Sequence, residues 1–105
     1  TIHVPITFSQ AVWGDDVEVP TVDGRIVQHI PEGTQSGTKF RLRGQGIQYL
    51  NGRGRGDQYV IVDVEIPKKV TRAQREALKA FEDSMKEDNY EKRKGFFKNL
   101  RDRFS

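Results

Sequence analysis

The fold is decided by one continuous strand pattern, Gln58-Tyr59-Val60-Ile61-Val62-Asp63-Val64-Glu65-Ile66. Alternate residues of a strand point to opposite faces of a sheet, so Val60, Val62, Val64 and Ile66 share one apolar face. The opposite face is half apolar, with Tyr59 and Ile61 followed by Asp63 and Glu65. We therefore predict a strand that is buried on one face and partly covered on the other.

Shorter patterns upstream predict the elements that surround this strand. The alternation from Ile2 to Ile6 predicts a first strand, and the segment 8–14 breaks that period and predicts one or two helical turns that end at Gly14. An Asp-Gly pair at 23–24 favours a tight turn, so 17–22 and 25–30 are predicted to pair as a hairpin. The run 39–43 predicts a further strand, with Phe40 and Leu42 on its core face. The predicted fold is mainly β, a small β-sandwich-like domain with a short helix after the first strand.

The composition changes near residue 70 from glycine, proline and β-branched residues to good helix formers. We therefore divide the chain into a β domain, 1–70, and a C-terminal helical segment, 71–105. Thr71 and Gln74 have the spacing of a capping box, so a helix is predicted to begin there. Its apolar residues, spaced to lie on one stripe, are Ala77, Leu78, Phe81 and Met85.

A second apolar stripe follows, after an expected interruption at Gly95. Its residues are Phe96, Phe97, Leu100 and Phe104, on a segment too short to be stable alone in water. Burying each such side chain contributes roughly 1.5–3 kcal/mol, so this stripe needs a partner surface. A second copy of the chain is the simplest source, and we predict a homodimer through Phe81, Met85, Phe96, Phe97, Leu100 and Phe104. The alternative is that the tail packs back onto its own β domain.

The composition excludes several kinds of site. The sequence has no cysteine and only two histidines, His3 and His29, so neither a thiolate nucleophile nor a cysteine-ligated metal is expected. Asp15 and Asp16 are adjacent, and adjacent strand residues face opposite ways, so they are poorly arranged to share a proton. No apolar run is long enough to cross a bilayer. We expect a soluble, non-enzymatic protein that needs no cofactor.

The loop 41–56 is rich in arginine and glycine and leaves an alternative open. Its glycines do not have the spacing of a nucleotide-binding loop, but its arginines and Tyr49 could bind nucleic acid. The charge distribution argues against this function, because residues 1–66 carry 6 basic and 8 acidic side chains, a balance of −2. Residues 67–105 carry 12 basic and 7 acidic side chains, a balance of +5. Together the two balances give the net charge of +3.

Three stretches together, 4–24, 30–46 and 54–62, resemble the C-terminal part of the bacterial DnaJ co-chaperones. They contain Val4-Pro5-Ile6-Thr7-Phe8-Ser9-Gln10-Ala11, Asp15-Asp16-Val17-Glu18-Val19-Pro20, Ile30-Pro31-Glu32-Gly33 and Gly54-Arg55-Gly56-Asp57-Gln58-Tyr59. The resemblance covers roughly residues 2 to 82 and weakens in the tail. It implies the second of two β-sandwich-like client-binding subdomains, followed by the helix through which these proteins dimerise.

The resemblance also implies partners and a position for the client. By analogy of position it places a groove for unfolded client polypeptide at Val17 and Val19, and it implies delivery of clients to a DnaK-type chaperone in the cytoplasm. The alternative is that both valines simply pack in the core or are covered by the hairpin. The chain begins with a strand pattern at Thr1, so we expect it to be part of a longer protein. The family's J domain and zinc-binding cysteine repeats are outside this sequence, and zinc would belong only to the latter. Nucleic acid and membranes are not expected partners.

Overall fold

The computed structural model describes residues 1–21, 24–42 and 58–104. It divides the chain into two compact units, Thr1–Pro67 and Lys68–Ser105. The first unit contains the strands β1 (Ile2–Ile6), β2 (Asp15–Thr21), β3 (Gly24–Ile30), β4 (Lys39–Leu42) and β5 (Gln58–Val64), with the helix α1 (Phe8–Trp13) after β1. The second contains α2 (Arg72–Ser84), a 3-10 turn (Glu87–Asn89) and α3 (Glu91–Phe104).

The first unit has two sheets that share one core. β5 lies between β1, to which it is parallel, and β4, to which it is antiparallel, while β2 and β3 form a separate antiparallel pair. The buried side chains come from both sheets and from α1, namely Ile6, Ala11, Val19, Ile30, Leu42, Val60 and Val62. The predicted β-sandwich-like domain with a short helix after its first strand, followed by C-terminal helices, is confirmed.

The central strand differs from its prediction at one end. Val60 and Val62 are fully buried and Val64 is half-buried, as the alternation predicted, but Ile66 is 73% exposed. The strand ends at Val64 because its parallel neighbour ends there, at the pair Ile6 and Val64. The placement of Ile66 on the core face was therefore wrong.

The predicted hairpin is present. β2 and β3 pair from Asp15 and Ile30 to Thr21 and Gly24. A turn at Asp23-Gly24 would have paired Arg25 with residue 22, but Arg25 pairs with Pro20 and Gly24 belongs to β3, so the predicted position of the turn was wrong by one residue. Residues 22–23 lie outside the described residues. Most of the arginine-glycine loop, residues 43–56, also lies outside the described residues. The alternative that this loop binds nucleic acid therefore stays a prediction.

The helical unit confirms the predicted capping box and differs from the prediction at two other positions. The capping box is present, since Thr71 Oγ1 accepts from the Gln74 backbone N–H at 3.1 Å and the Gln74 side chain accepts from the Thr71 N–H at 2.7 Å. However, α2 ends at Ser84, so Met85 is its extended C-cap rather than part of the helical stripe. Gly95 lies inside α3 and does not interrupt it, because single glycines within a run of good helix formers cost only about 1 kcal/mol.

Candidate functional site

The proposed client groove lies on β2. Within the described ranges β2 pairs only with β3, so it is the edge of a two-stranded sheet. Pro20 lies within β2, and proline in a sheet is largely restricted to edge strands because it has no backbone N–H to donate. An edge of this kind offers main-chain donors and acceptors to an added strand.

The two residues predicted to contact the client have different environments. Val19 is 0% exposed and belongs to the core, whereas Val17 is half-buried and packs against that core. The side chain of Val19 is therefore unavailable to a client, because core residues cover it. Client contact at Val17 and Val19 stays a prediction.

The outer face of the hairpin is polar and its side chains are paired. Asp16 Oδ1 lies 2.8 Å from Nδ1 of His29, its direct cross-strand neighbour, and Glu18 lies 3.4 Å from Arg25. Val27 stands among these side chains at 64% exposure. Such exposed pairs contribute little to stability, so this face is chiefly a solvated surface.

The carboxylate of Asp15 is a fixed acceptor at the start of β2. Gln10 donates to it from 3.1 Å and the backbone N–H of Asp16 from 2.8 Å. The Gln10 hydrogen bond, followed by that from Asp16, lowers the pKa of Asp15 because both favour the ionised form. Asp15 thus ties α1 to β2, and Asp16 pairs with His29 instead of sharing a proton with its neighbour.

The histidines make no metal site with the carboxylates around them. Nδ1 of His3 lies 2.7 Å from Asp63, and His29 pairs with Asp16 as described. Among residues 1–21, 24–42 and 58–104, no three histidine, aspartate or glutamate side chains converge as metal ligands.

The predicted dimerisation residues lie on two helices of the second unit, and the structure brings some of them together. Met85, at the end of α2, and Phe97, on α3, line one hollow of 340 Å³ with Tyr90. The rings of Phe96 and Phe97 meet edge to face with centroids 5.1 Å apart. Phe81 is half-buried.

The apolar stripe on α3 is exposed along its length. The exposed fractions are 63% for Phe96, 37% for Phe97, 41% for Leu100 and 79% for Phe104. The guanidinium of Arg93 lies over the Phe97 ring, 4.7 Å from its centroid. No residue of α2 or α3 is fully buried, so these side chains form an apolar surface available for association.

Ion pairs hold α3 against the preceding 3-10 turn. Lys94 donates to Asp88, and Arg101 lies 3.7 Å from Glu87. The Lys94 hydrogen bond and charge lower the pKa of Asp88, and the same contacts with Asp88 raise the pKa of Lys94. Lys94 and Arg101 of α3 therefore both contact this turn through exposed ion pairs.

Sequence reasoning gave no role to three exposed apolar side chains on α1. Phe8, Val12 and Trp13 are 46%, 42% and 69% exposed. The sequence did contain a signal for this surface. Phe8 and Val12 are four residues apart in the predicted helical turns, and residues at that spacing lie on one face of a helix.

No described helix is long and apolar enough to span a membrane.

Comparisons with known proteins agree with this architecture. The family described as "DnaJ C terminal domain" matches residues 1–67, and the family described as "Chaperone protein DnaJ C-terminal region" matches residues 73–105. The "Chaperone protein DnaJ" of Ruminiclostridium cellulolyticum is 52% identical over 102 residues, which cover 97% of this chain and 27% of the relative. The proteins of the same name from Acetivibrio thermocellus and Clostridioides difficile are each 50% identical, over 95% and 97% of this chain and 26% and 27% of their own lengths.

This chain therefore spans about a quarter of the length of the relatives it matches. The strand order, the capped helices and the two matched regions lead to one conclusion: the chain belongs to the DnaJ C-terminal family.

Proposed function

We propose that this chain is the non-enzymatic association module of a DnaJ-type co-chaperone. It holds two copies together through its helical unit and binds unfolded polypeptide weakly on its β unit. The full-length protein delivers those clients to a DnaK-type chaperone in the cytoplasm. This part needs no cofactor, since zinc would belong to a cysteine-rich module and this sequence contains no cysteine. Nucleic acid and membranes are not proposed as partners.

The observation that carries the proposal is the exposed apolar stripe of α3. Phe96, Leu100 and Phe104 are 63%, 41% and 79% exposed on a helix of 14 residues that has no buried residue. A helix of this length is marginal in water without tertiary packing. Covering each of these side chains contributes roughly 1.5–3 kcal/mol, and a two-fold partner supplies the same stripe in return.

Sedimentation equilibrium of the intact chain tests the dimer. We expect a dimer for the intact chain and at least about a tenfold weaker association for Phe104→Asp, since a tenfold change corresponds to 1.4 kcal/mol. Asn99→Asp is the matched control, because it adds the same charge to α3 at an exposed position outside the stripe. A monomeric intact chain, or equal association for both variants, contradicts the proposal.

Hydrogen–deuterium exchange tests the client site without altering the core. Main-chain pairing along the free edge of β2 protects those amides of residues 15–19 that do not already donate to β3, when a reduced, unfolded protein is added. Equal exchange of these amides with and without a bound client would exclude β2 as the client edge.

A further inference from the structure

The first unit has an apolar groove along α1 that is separate from the edge of β2. It consists of two adjacent depressions, of 440 Å³ and 230 Å³, with Phe8 lining both. Ile6 and Pro67 line the larger depression, and Ala11, Val12 and Val64 line the smaller. We call the pair of depressions the α1 groove.

The two depressions lie side by side because of the sheet register. Ile6 of the larger and Val64 of the smaller are paired neighbours in the parallel ladder of β1 and β5. Neighbouring strands lie about 4.8 Å apart. Phe8 thus lines two apolar hollows whose other lining residues include the paired neighbours Ile6 and Val64.

The walls of the α1 groove are held in place by hydrogen bonds. The N–H groups of Gly33 and Thr34 donate to the carbonyl of Ala11 at 2.9 and 3.1 Å, which ties the connector before β4 to the end of α1. Ser36 Oγ accepts from the N–H of Val64 at 2.9 Å, which ties the same connector to β5. A preorganised groove loses little conformational entropy when it binds.

The charge of the groove selects among possible occupants. Among the described residues that line it, Glu65 is the only charged one, and the other polar groups are hydroxyls and amides. The described lining residues include no cation to oppose this carboxylate, so nucleic acid and an anionic membrane would meet like charge there. An apolar segment flanked by lysine or arginine is complementary to this surface.

From the two hollows and the carboxylate of Glu65, we propose that the α1 groove binds an extended, apolar polypeptide segment with basic flanks. Side chains of the segment occupy the two depressions on either side of Phe8, and a flanking cation faces Glu65. The inference rests on the proposed function, because it assigns client binding to a surface other than the edge of β2.

Fluorescence titration of the full chain tests the inference. Trp13 is the only tryptophan and directly follows Val12, which lines the smaller depression, so we choose its emission to follow binding. The probe is a ten-residue peptide in which leucines alternate with serines between terminal lysines. We expect a saturable change in Trp13 emission, and about a tenfold loss of affinity for Val12→Asp, measured by calorimetry.

Val27→Asp is the matched control. It makes the same substitution at an exposed valine of the same unit, on the outer face of β3 and away from the groove, and we expect unchanged affinity. Equal loss in both variants, or none in Val12→Asp, overturns the inference. A dimer that dissociates in Val12→Asp overturns it as well, because the groove would then be an interface between copies.

Glu65→Gln provides a second variant that keeps the shape of the groove and does not depend on how Val12→Asp folds. We expect it to weaken binding of the lysine-flanked peptide about threefold and to leave a serine-flanked peptide unchanged, as an exposed ion pair implies. Equal effects on both peptides overturn the inference. Failure of the wild-type chain to bind either peptide or an unfolded protein would instead refute client binding as a whole.

Discussion

Gly14 is the position at which a single added methyl group should damage the β unit most. It follows α1 with φ 80° and ψ 160°, and its N–H donates to the carbonyl of Gln10 at 2.8 Å. This backbone conformation is essentially restricted to glycine and costs any other residue about 1–3 kcal/mol. A Cβ there would also lie 2.7 Å from the Ile30 carbonyl oxygen and 3.0 Å from the Glu32 nitrogen.

Both atoms belong to backbone, so neither can move aside as a flexible side chain would. Overpacking of this kind costs about 1–3 kcal/mol, so we expect Gly14→Ala to lower the free energy of unfolding by roughly 2–6 kcal/mol. Small domains have only about 5–15 kcal/mol to lose. The substitution therefore removes a large share of the stability of this unit.

Gly33→Ala separates the two contributions. Gly33 has φ 79°, but a Cβ there would have no atom within 4 Å, so only backbone strain of about 1–2 kcal/mol is expected. Urea unfolding followed by Trp13 fluorescence measures both variants, because Trp13 lies in the β unit. If Gly14→Ala proves no more destabilising than Gly33→Ala, the close approach of Gly14 to Ile30 does not constrain the fold.

Two further predictions concern the helical unit. Gly95→Ala, where an added Cβ meets no atom within 4 Å, should stabilise α3 by about 0.5–1 kcal/mol, and a lower helical signal at 222 nm or an unchanged melting curve would contradict this. The contact of Asp88 with Lys94 lowers the pKa of Asp88. The contact therefore stabilises the folded helical unit at neutral pH, and this stabilisation is lost as the pH falls through the lowered pKa. Asp88→Asn should weaken the helical signal at neutral pH and flatten its acid titration, and an unaltered titration would show that the ion pair does not hold the helix.

Local patterns predicted most of the elements. The capping box at Thr71, the glycine that ends α1 and the pairing of β2 with β3 each depend on residues close together in sequence. In these cases backbone hydrogen bonding and side-chain alternation leave few alternatives. The prediction at Ile66 failed for the opposite reason, because the length of its neighbour β1 decides where β5 ends.

The candidate sites depended more on tertiary packing and were less predictable. Side-chain alternation predicts that Val17 and Val19 lie on one face of β2. It does not predict how deeply each is buried, and in the structure Val19 is fully buried and Val17 half-buried. The α1 groove joins residues near position 8 with residues near positions 34 and 65. No local pattern in the sequence brings these three segments together.

The distribution of aromatic residues is the strongest physical argument for association. The core of the β unit consists of alanine, valine, leucine and isoleucine, whereas none of the six phenylalanines is fully buried. Aromatic side chains contribute large apolar areas at interfaces, and the favourable free energy of burying these areas is lost while the side chains remain in water. Phe8 lies at one end of the chain and Phe96 and Phe104 at the other, so the two units carry separate apolar surfaces. Under the proposed function, the surface on α3 would contact an identical chain and the surface on α1 would contact a client, so substitutions in one surface should leave the other contact unchanged.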